Sequence, residues 1–176
     1  MKTQFYAAAS LDGFIATNDH NLDWLLQFGS TDETSYPAFI QEVGALVMGS
    51  NTYEWLQNHL KGEPWPYTQP AWVLTRRKLP SIEGANIRFA GGDVRAVYAQ
   101  MAQVANGKNL WIVGGGELAA QFYDAGLLDE LIVQITPVTL GGGKPFFPRR
   151  VIKPPFKLLA SKVYGQFVEI CYGVEK

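Results

Sequence analysis

The 176-residue chain is poor in the residues that mark disulfide-rich, metal-binding and nucleic-acid-binding proteins. Cys171 is its one cysteine, which excludes an internal disulfide and indicates a reducing, cytoplasmic environment. His20 and His59 have no cysteine or histidine neighbours at ligand spacing, so we expect no metal site. The net charge is −1, which gives no electrostatic attraction to nucleic acid or to an anionic membrane. A small molecule is therefore the expected partner.

Long hydrophobic runs are also missing. The run at residues 5–9 is too short for the apolar region of a signal peptide, and no stretch approaches transmembrane length. Hydrophobic residues make up 47% of the chain, which at this length is enough for the core of one ordinary domain. We therefore expect a single domain over residues 1–176, without repeats or linkers.

What the chain does contain is organised around three consecutive glycines after an apolar run at residues 110–113. Such a run is typical of a strand covered on both faces of a sheet. Gly114, Gly115 and Gly116 carry no Cβ, so the backbone is free to adopt positive φ and a ligand can approach its amides. A helix opening at Glu117 would aim free N–H groups at the same place. The pattern favours a phosphate site over a turn that uses glycine only for packing.

The spacing of Gly114, Gly116 and Ala119 also satisfies the dinucleotide pattern of Rossmann domains. That pattern requires an acidic residue for the ribose about twenty residues further on. This chain has Gln134 to Pro137 there, without an acid. The sequence therefore argues against an ordinary NAD-binding Rossmann domain.

A second strand, glycine and helix arrangement follows the apolar run at residues 45–48. Gly49 and the small polar residues after it repeat the features of the first turn, although Asn51 with Glu54 resembles a capping box, which explains part of the pattern. Two such turns in one sheet favour a dinucleotide, which needs several phosphate contacts. A third strand at residues 71–74 delivers Arg76 to the edge where open α/β sheets bind ligands, and an arginine there suits a nucleotide phosphate.

Three polar or aromatic positions allow two interpretations each. Asp12 precedes Gly13 and is better explained as a turn former than as a catalytic carboxylate. Trp24, in a polar loop at residues 18–30, either walls a ligand pocket or anchors the loop. Helical spacing predicts a helix that starts between residues 31 and 37 and stops at Gly44, with Glu33 at its positive end, where acids usually just complement the dipole.

The remaining segments predict a strand at residues 3–9 and another at 87–90, a helix capped by Asp93, a strand at 130–137, a glycine loop at 141–143 and a terminal hairpin. The inner face of the capped helix is expected to consist of Val94, Val97, Tyr98, Met101 and Val104.

Five motifs in this order resemble the dihydrofolate reductase-like superfamily, and more closely the reductase domain of the bacterial riboflavin-biosynthesis deaminase-reductase and its stand-alone relatives. The motifs are Ala9-Ser-Leu-Asp-Gly-Phe-Ile-Ala16, Val47-Met-Gly-Ser-Asn-Thr52, Trp72-Val-Leu-Thr-Arg76, Ile112-Val-Gly-Gly-Gly-Glu117 and Thr139-Leu-Gly-Gly-Gly-Lys-Pro-Phe146. The resemblance spans nearly the whole chain. It implies an α/β fold with a mostly parallel central sheet, flanking helices and a C-terminal antiparallel hairpin, which matches the order of the predicted elements.

The resemblance also implies NADPH as cofactor and a homodimer as the assembly. It assigns Ala8 and Ile15 to the nicotinamide, and Thr75 with Arg76 to the adenosine 2′-phosphate. The phosphate-binding residues it implies are Gly49, Ser50, Asn51, Thr52, Gly114, Gly115, Gly116, Glu117 and Leu118.

The substrate side of the family pattern matches less well. Riboflavin-type reductases commonly carry an acid where this chain has Val113, and arginines in a helix that here has no basic residue between residues 31 and 43. Alignment with dihydrofolate reductase instead puts Glu33 near the pterin-binding acid. We therefore expect an NADPH-dependent reductase of a pteridine-like or pyrimidine-like compound, with Glu33 as the catalytic candidate and Trp24 as a substrate contact. The alternative is a nucleotide-binding protein without catalysis.

Overall fold

The computed structural model describes residues 1–175 and is built on one large mixed sheet. In chain order the strands are β1 (Thr3–Ser10), β2 (Phe14–Ala16), β3 (Val43–Gly49), β4 (Ala71–Leu74), β5 (Ile87–Ala90), β6 (Asn109–Gly114), β7 (Glu130–Thr136), β8 (Lys144–Pro145), β9 (Lys157–Tyr164) and β10 (Phe167–Gly173). The helices are α1 (Asp23–Leu26), α2 (Tyr36–Gln41), α3 (Ser50–Leu60), α4 (Val94–Val104) and α5 (Gly116–Asp124).

The strand order in this sheet is β5-β4-β3-β6-β1-β7-β10-β9. The first six strands in this order run parallel, and β10 and β9 are antiparallel additions at one edge. A short antiparallel pair of β2 with β8 lies outside the main sheet. The predicted parallel sheet and C-terminal hairpin are therefore confirmed.

Both faces of the sheet are covered by packed side chains. One strand contributes to both cores, because its side chains point alternately to opposite sides. On β3, Ala45 and Val47 pack in a core with α4 and α5, whereas Leu46 and Met48 pack in a second core. That second core contains Tyr53 of α3 and the rings of α2. The apolar runs predicted as buried strands owe their character to this double burial.

The helix before β3 is shorter than the sequence predicts. α2 ends at Gln41, and Val43, which lies inside the predicted helix, is instead the first residue of β3 and is buried. A Cβ at Gly44 would lie 2.3 Å from the carbonyl oxygen of Ala105, so this glycine permits close approach of the strand to the end of α4. Tertiary packing at Gly44, and not a helix stop, explains the glycine.

Of the two helix caps predicted from the sequence, the structure contains one. The capping box of Asn51 and Glu54 is wrong, because Gly49 is the N-cap of α3 and no side chain caps that helix. The Asp93 cap is confirmed, since its carboxylate accepts a hydrogen bond from the backbone N–H of Arg95 at 2.9 Å. Residues 18–30, expected as an irregular loop, contain the single turn α1.

The C-terminal edge strand is the most exposed element of the sheet. All residues of β9 except Tyr164 are exposed, among them Val163, with 73% of its surface accessible.

Asp12 connects the turn after β1 to the loop before β8. Its carboxylate accepts hydrogen bonds from Ser10 Oγ and from the backbone N–H groups of Leu140 and Gly141. Asp12 thus serves the turn, as predicted. No helix among residues 1–175 is long and apolar enough to cross a membrane.

Candidate active site

A cavity of about 800 Å³ lies where the parallel strands end. Residues from the carboxyl-terminal parts of β1, β3, β4, β6 and β7 line it, together with the first turns of α3 and α5. This is the edge at which open α/β sheets bind their ligands. The volume is within the range of small-molecule sites, which reaches about 1,000 Å³.

One end of the cavity, the glycine end, is formed by two helix starts. Gly49 is the N-cap of α3 and Gly115 is the N-cap of α5, and neither helix has a side-chain cap. The free N–H groups of both first turns therefore remain available, and both helix dipoles place positive charge at this end. Such paired helix starts suit a group with two phosphates.

The three glycines after β6 serve different purposes, and none of them has positive φ, contrary to expectation. A Cβ at Gly116 would lie 2.3 Å from the carbonyl oxygen of Phe146, so this glycine permits close packing. A Cβ at Gly114 would lie 3.0 Å from Thr52 Oγ1. At Gly115 the nearest atom would be Ile15 Cδ1 at 3.8 Å, so this position borders open space. Only Gly115 leaves room for a ligand above the turn.

Most of the residues predicted to bind the cofactor come together around this cavity. The lining residues among them are Ala8, Ile15, Gly49, Ser50, Asn51, Thr52, Gly114, Gly115, Gly116, Glu117 and Leu118. Thr75 and Arg76 do not line it, although they follow directly after β4, whose last residue Leu74 does. Arg76 is exposed and lies beside Gly91, which follows β5.

The two predicted substrate residues are not among the lining residues. Glu33 is exposed in the turn before α2 and therefore lies outside the first turn of that helix, where the sequence had placed it. Trp24 is half-buried in α1, and its neighbours Leu22 and Leu25 line the cavity while Trp24 does not. This arrangement favours the anchoring interpretation of Trp24.

Two arginines that were not predicted as site residues bind acidic side chains of the two helices that start at the glycine end. Arg77 donates to both carboxylate oxygens of Glu54, at 2.5 Å and 3.1 Å, and lies 3.5 Å from the side-chain oxygen of Asn51. Arg149 donates to both carboxylate oxygens of Glu117, at 2.9 Å and 3.0 Å. The carboxylates of Glu117 and Asp124 raise the pKa of Arg149, which stays charged.

The other end of the cavity, which we call the aromatic end, is walled by rings. Its walls are Tyr6 of β1, Tyr36 of α2, Trp111 of β6 and Tyr67 of the loop before β4. The ring of Trp111 lies 5.8 Å from that of Tyr36 and 5.5 Å from that of Tyr67, both edge to face. Burial raises the pKa of Tyr36 and of Tyr67, so both remain neutral phenols. These surfaces suit a flat ring.

A hydrogen-bonded group of four side chains borders the aromatic end. The Tyr6 hydroxyl accepts from Gln134 Nε2 at 2.6 Å, and its one hydrogen is shared between two acceptors, Ser35 Oγ at 2.8 Å and Glu169 Oε2 at 3.1 Å. Gln134 Nε2 and Ser35 Oγ also donate to Glu169 Oε2. Burial, and then the nearby Glu169 charge, raises the pKa of Tyr6 although the Ser35 hydrogen bond lowers it, so the phenol keeps its proton.

Sequence reasoning missed this second end, although two signals were present. Gln134 interrupts an otherwise apolar strand between Val133 and Ile135, and Glu169 does the same between Val168 and Ile170. The register of β7 with β10 places Gln134 directly opposite Glu169. Polar residues inside buried strands need partners, and such a pair is a sign of a site or of a structural bond.

Comparison with known proteins gives the family. The family model described as RibD C-terminal domain matches residues 2–169. The chain belongs to this family. The Bacillus subtilis (strain 168) protein YwjB, named as uncharacterized, is 34% identical over 173 residues, which cover 97% of each chain.

Solved structures agree with the family on the fold. A candidate riboflavin biosynthesis protein from Shewanella sp. PV-4 is similar with a TM-score of 0.83 and 28% sequence identity over 100% of both chains. A dihydrofolate reductase from Enterococcus faecalis, complexed with NADP(H), has a TM-score of 0.60 and 19% identity over 98% of this chain and 95% of its own. The resemblance inferred from the five motifs is confirmed, and the fold is dihydrofolate reductase-like.

Proposed function

We propose that the protein is an NADPH-dependent reductase that acts on a C=N or C=O bond of a pteridine-like or pyrimidine-like compound. The observation that carries the proposal is that one cavity joins two uncapped helix starts to an aromatic end. The first feature suits the phosphates of a dinucleotide and the second suits a flat ring. Membership of the RibD C-terminal domain family and the reductase-like fold support the same activity.

The residues present fit NADPH at the glycine end. In this proposal Gly115 and the first turns of α3 and α5 hold the phosphates, because Gly115 borders open space and the helices lack side-chain caps. Ala8 and Ile15 border the nicotinamide, and Arg76 with Thr75 recognises the 2′-phosphate. When bound, the cofactor supplies the hydride.

The chain's own part in the reaction is to orient the nicotinamide and the substrate ring and to exclude water from between them. Apolar and aromatic walls, among them Ile15 and Trp111, hold two flat rings in one cavity and remove solvent from between them. The buried phenols of Tyr36 and Tyr67 contribute no charge, so the cavity offers hydrogen bonds without ionising.

The activity is tested by following NADPH oxidation in the presence of dihydrofolate, the ribosylaminopyrimidine of the riboflavin pathway and a panel of pterins. Oxidation that depends on one of these compounds and saturates with it is the expected result. Tight NADPH binding without turnover on any of them would favour the second hypothesis, a nucleotide-binding protein that has lost catalysis.

Glu33 remains the catalytic candidate that the family alignment suggests, and its role is tested separately. If Glu33 acts as a general acid near the substrate ring, Glu33→Gln lowers kcat/KM by roughly a hundredfold and leaves NADPH affinity intact. Its exposure outside the cavity favours the other outcome, an unchanged kcat/KM, which would remove Glu33 from the site.

We also propose that the protein is a homodimer, as the family resemblance implies. The exposed strand β9 supports this, because an edge strand with accessible Leu158 and Val163 leaves backbone groups and apolar side chains for a partner. Light scattering of the purified chain would measure the mass directly. A monomer at micromolar concentration would contradict the dimer and leave the reductase proposal untouched.

A further inference from the structure

Among the described residues that line the cavity, Gln134 is the side-chain amide beside the aromatic rings, and its nitrogen is hydrogen-bonded to other side chains. The side chain is 5% exposed on β7. Its Nε2 atom donates to Tyr6 Oη at 2.6 Å and to Glu169 Oε2 at 2.9 Å. An amide nitrogen has two hydrogens, so both are donated to these acceptors.

The direction of the amide follows from the chemistry of Glu169. Carboxylate oxygens accept hydrogen bonds, and Glu169 Oε2 also receives the hydroxyls of Ser35 and Tyr6. The nitrogen of Gln134 must therefore face Glu169, and a flipped amide would set two acceptors against each other. The carbonyl oxygen Oε1 accepts no hydrogen bond within residues 1–175, yet it is not sealed from the surface. Gln134 lines the cavity, and this oxygen is the polar atom of its side chain that has no partner among the described residues.

The rings that wall the aromatic end are uncharged, because burial raises the pKa of all three tyrosines and keeps them protonated. No arginine is among the described residues that line the cavity. The titratable side chains other than tyrosine that line the cavity are Glu117, Lys144 and His20. Glu117 lies in the first turn of α5, Lys144 pairs with Ala16 and precedes Pro145, whose carbonyl oxygen borders Gly116, and His20 lies in the loop after β2. A ligand at the aromatic end therefore meets flat apolar walls and one oriented acceptor.

We propose that Gln134 Oε1 determines substrate specificity by accepting a hydrogen bond from a ring N–H, and that the substrate is a flat, uncharged heterocycle bound without a phosphate. This inference rests on the proposed function for its meaning as a substrate site. Glu169 is a positioning residue that acts through Gln134 and does not touch the ring. A ring without an N–H at that place leaves a desolvated acceptor unpaired, which weakens its binding.

The inference is tested with two probes that share one ring, lumazine and 1,3-dimethyllumazine, of which the second has no ring N–H. Binding is measured by calorimetry at slightly acidic pH, with and without NADPH. The wild type is expected to prefer lumazine by about tenfold or more. Gln134→Met, of similar size but without an acceptor, should bind the two within about twofold of each other.

A second variant separates positioning from shape. Glu169→Gln can donate as well as accept, so it releases the Gln134 amide from its single direction, and the preference for lumazine should fall while circular dichroism still reports a folded chain. Adding a 5′-phosphoribityl group to the lumazine ring should not improve binding to the wild type.

Three results would overturn the inference. They are failure of lumazine to bind the wild type, equal binding of both probes to the wild type, and a preference that persists in Gln134→Met because the methyl groups clash elsewhere. NADPH binding to the wild type is titrated independently of the probes. A wild type that binds no NADPH but still prefers lumazine would refute the proposed function and support the Gln134 site.

Discussion

Arg149 binds Glu117 through two hydrogen bonds of 2.9 Å and 3.0 Å, and Glu117 lies in the first turn of α5 at the glycine end of the cavity. This ion pair connects the segment after β8 to the helix start that we propose as a phosphate site. It also neutralises a carboxylate that would otherwise repel a phosphate.

Removal of the guanidinium should therefore weaken cofactor binding. Arg149→Ala is expected to lower NADPH affinity by about two- to fivefold, a small effect because the pair is partly exposed and screened by salt. Adding Glu117→Gln should restore the affinity, and raising the ionic strength should reduce the difference. An affinity that falls equally in the double variant would show that the pair acts by holding the fold.

Substitution at neighbouring glycines separates ligand space from packing space. Gly115→Val is expected to fold and to bind NADPH at least about a hundredfold more weakly, because its side chain would stand in the open space above the turn. Gly116→Val should instead destabilise the chain, since its Cβ would lie 2.3 Å from the Phe146 carbonyl oxygen. Circular dichroism and cofactor titration distinguish the two variants, and a folded Gly115→Val with normal affinity would contradict the phosphate assignment.

The contrast between these glycines shows what the sequence could and could not predict. Strand β4 and strand β5 were predicted to the residue, because continuous apolar runs between turn signals depend on local composition. The separate uses of Gly115 and Gly116 depend on the Phe146 segment, thirty residues later, which no local pattern reveals. The positive φ expected at these glycines is wrong, and close approach to the Phe146 carbonyl oxygen alone explains Gly116.

The two ends of the cavity differ in the same way. The glycine end is made of two short motifs, each continuous in sequence, so Gly49 and Gly114 could be identified directly. The aromatic end brings together Tyr6, Trp111 and Gln134, which come from three strands distant in sequence. Strand order decides which side chains meet there, and neither the residue pattern nor the family resemblance predicted that order.

Cofactor preference is predicted from the arginines after β4. Arg76→Ala should weaken NADPH binding by roughly 1.5 to 3 kcal/mol, the scale of a hydrogen bond to a charged group, and leave NADH binding nearly unchanged. Arg77→Ala is the matched control, because Arg77 is engaged by Glu54 and should affect both cofactors alike. Equal losses of NADPH and NADH affinity in Arg76→Ala would rule out the 2′-phosphate assignment.

Stability should depend on the single thiol at alkaline pH. Burial, and then the nearby Glu130 charge, raises the pKa of Cys171 to about 11. Between the ordinary thiol pKa and that value the unfolded chain releases a proton that the folded chain keeps, so the free energy of unfolding decreases as pH rises.

Denaturant unfolding from pH 8 to 10 should thus show a loss on the order of 1 kcal/mol. Cys171→Ala is the control and should lose less over the same range. Tyr6, Tyr36 and Tyr67 also have raised pKa values, so they add to the loss at still higher pH in both proteins. An identical pH dependence of the two proteins below pH 10 would show that the thiol is not protected by folding.

The central claim is that the glycine end of the cavity binds NADPH, and calorimetric titration of the purified chain with NADPH tests it most directly. We predict one site per chain with a Kd of about 10 μM or tighter, which corresponds to roughly −7 kcal/mol or more favourable. Absence of binding up to about 1 mM NADPH, with a chain that circular dichroism reports as folded, would contradict it.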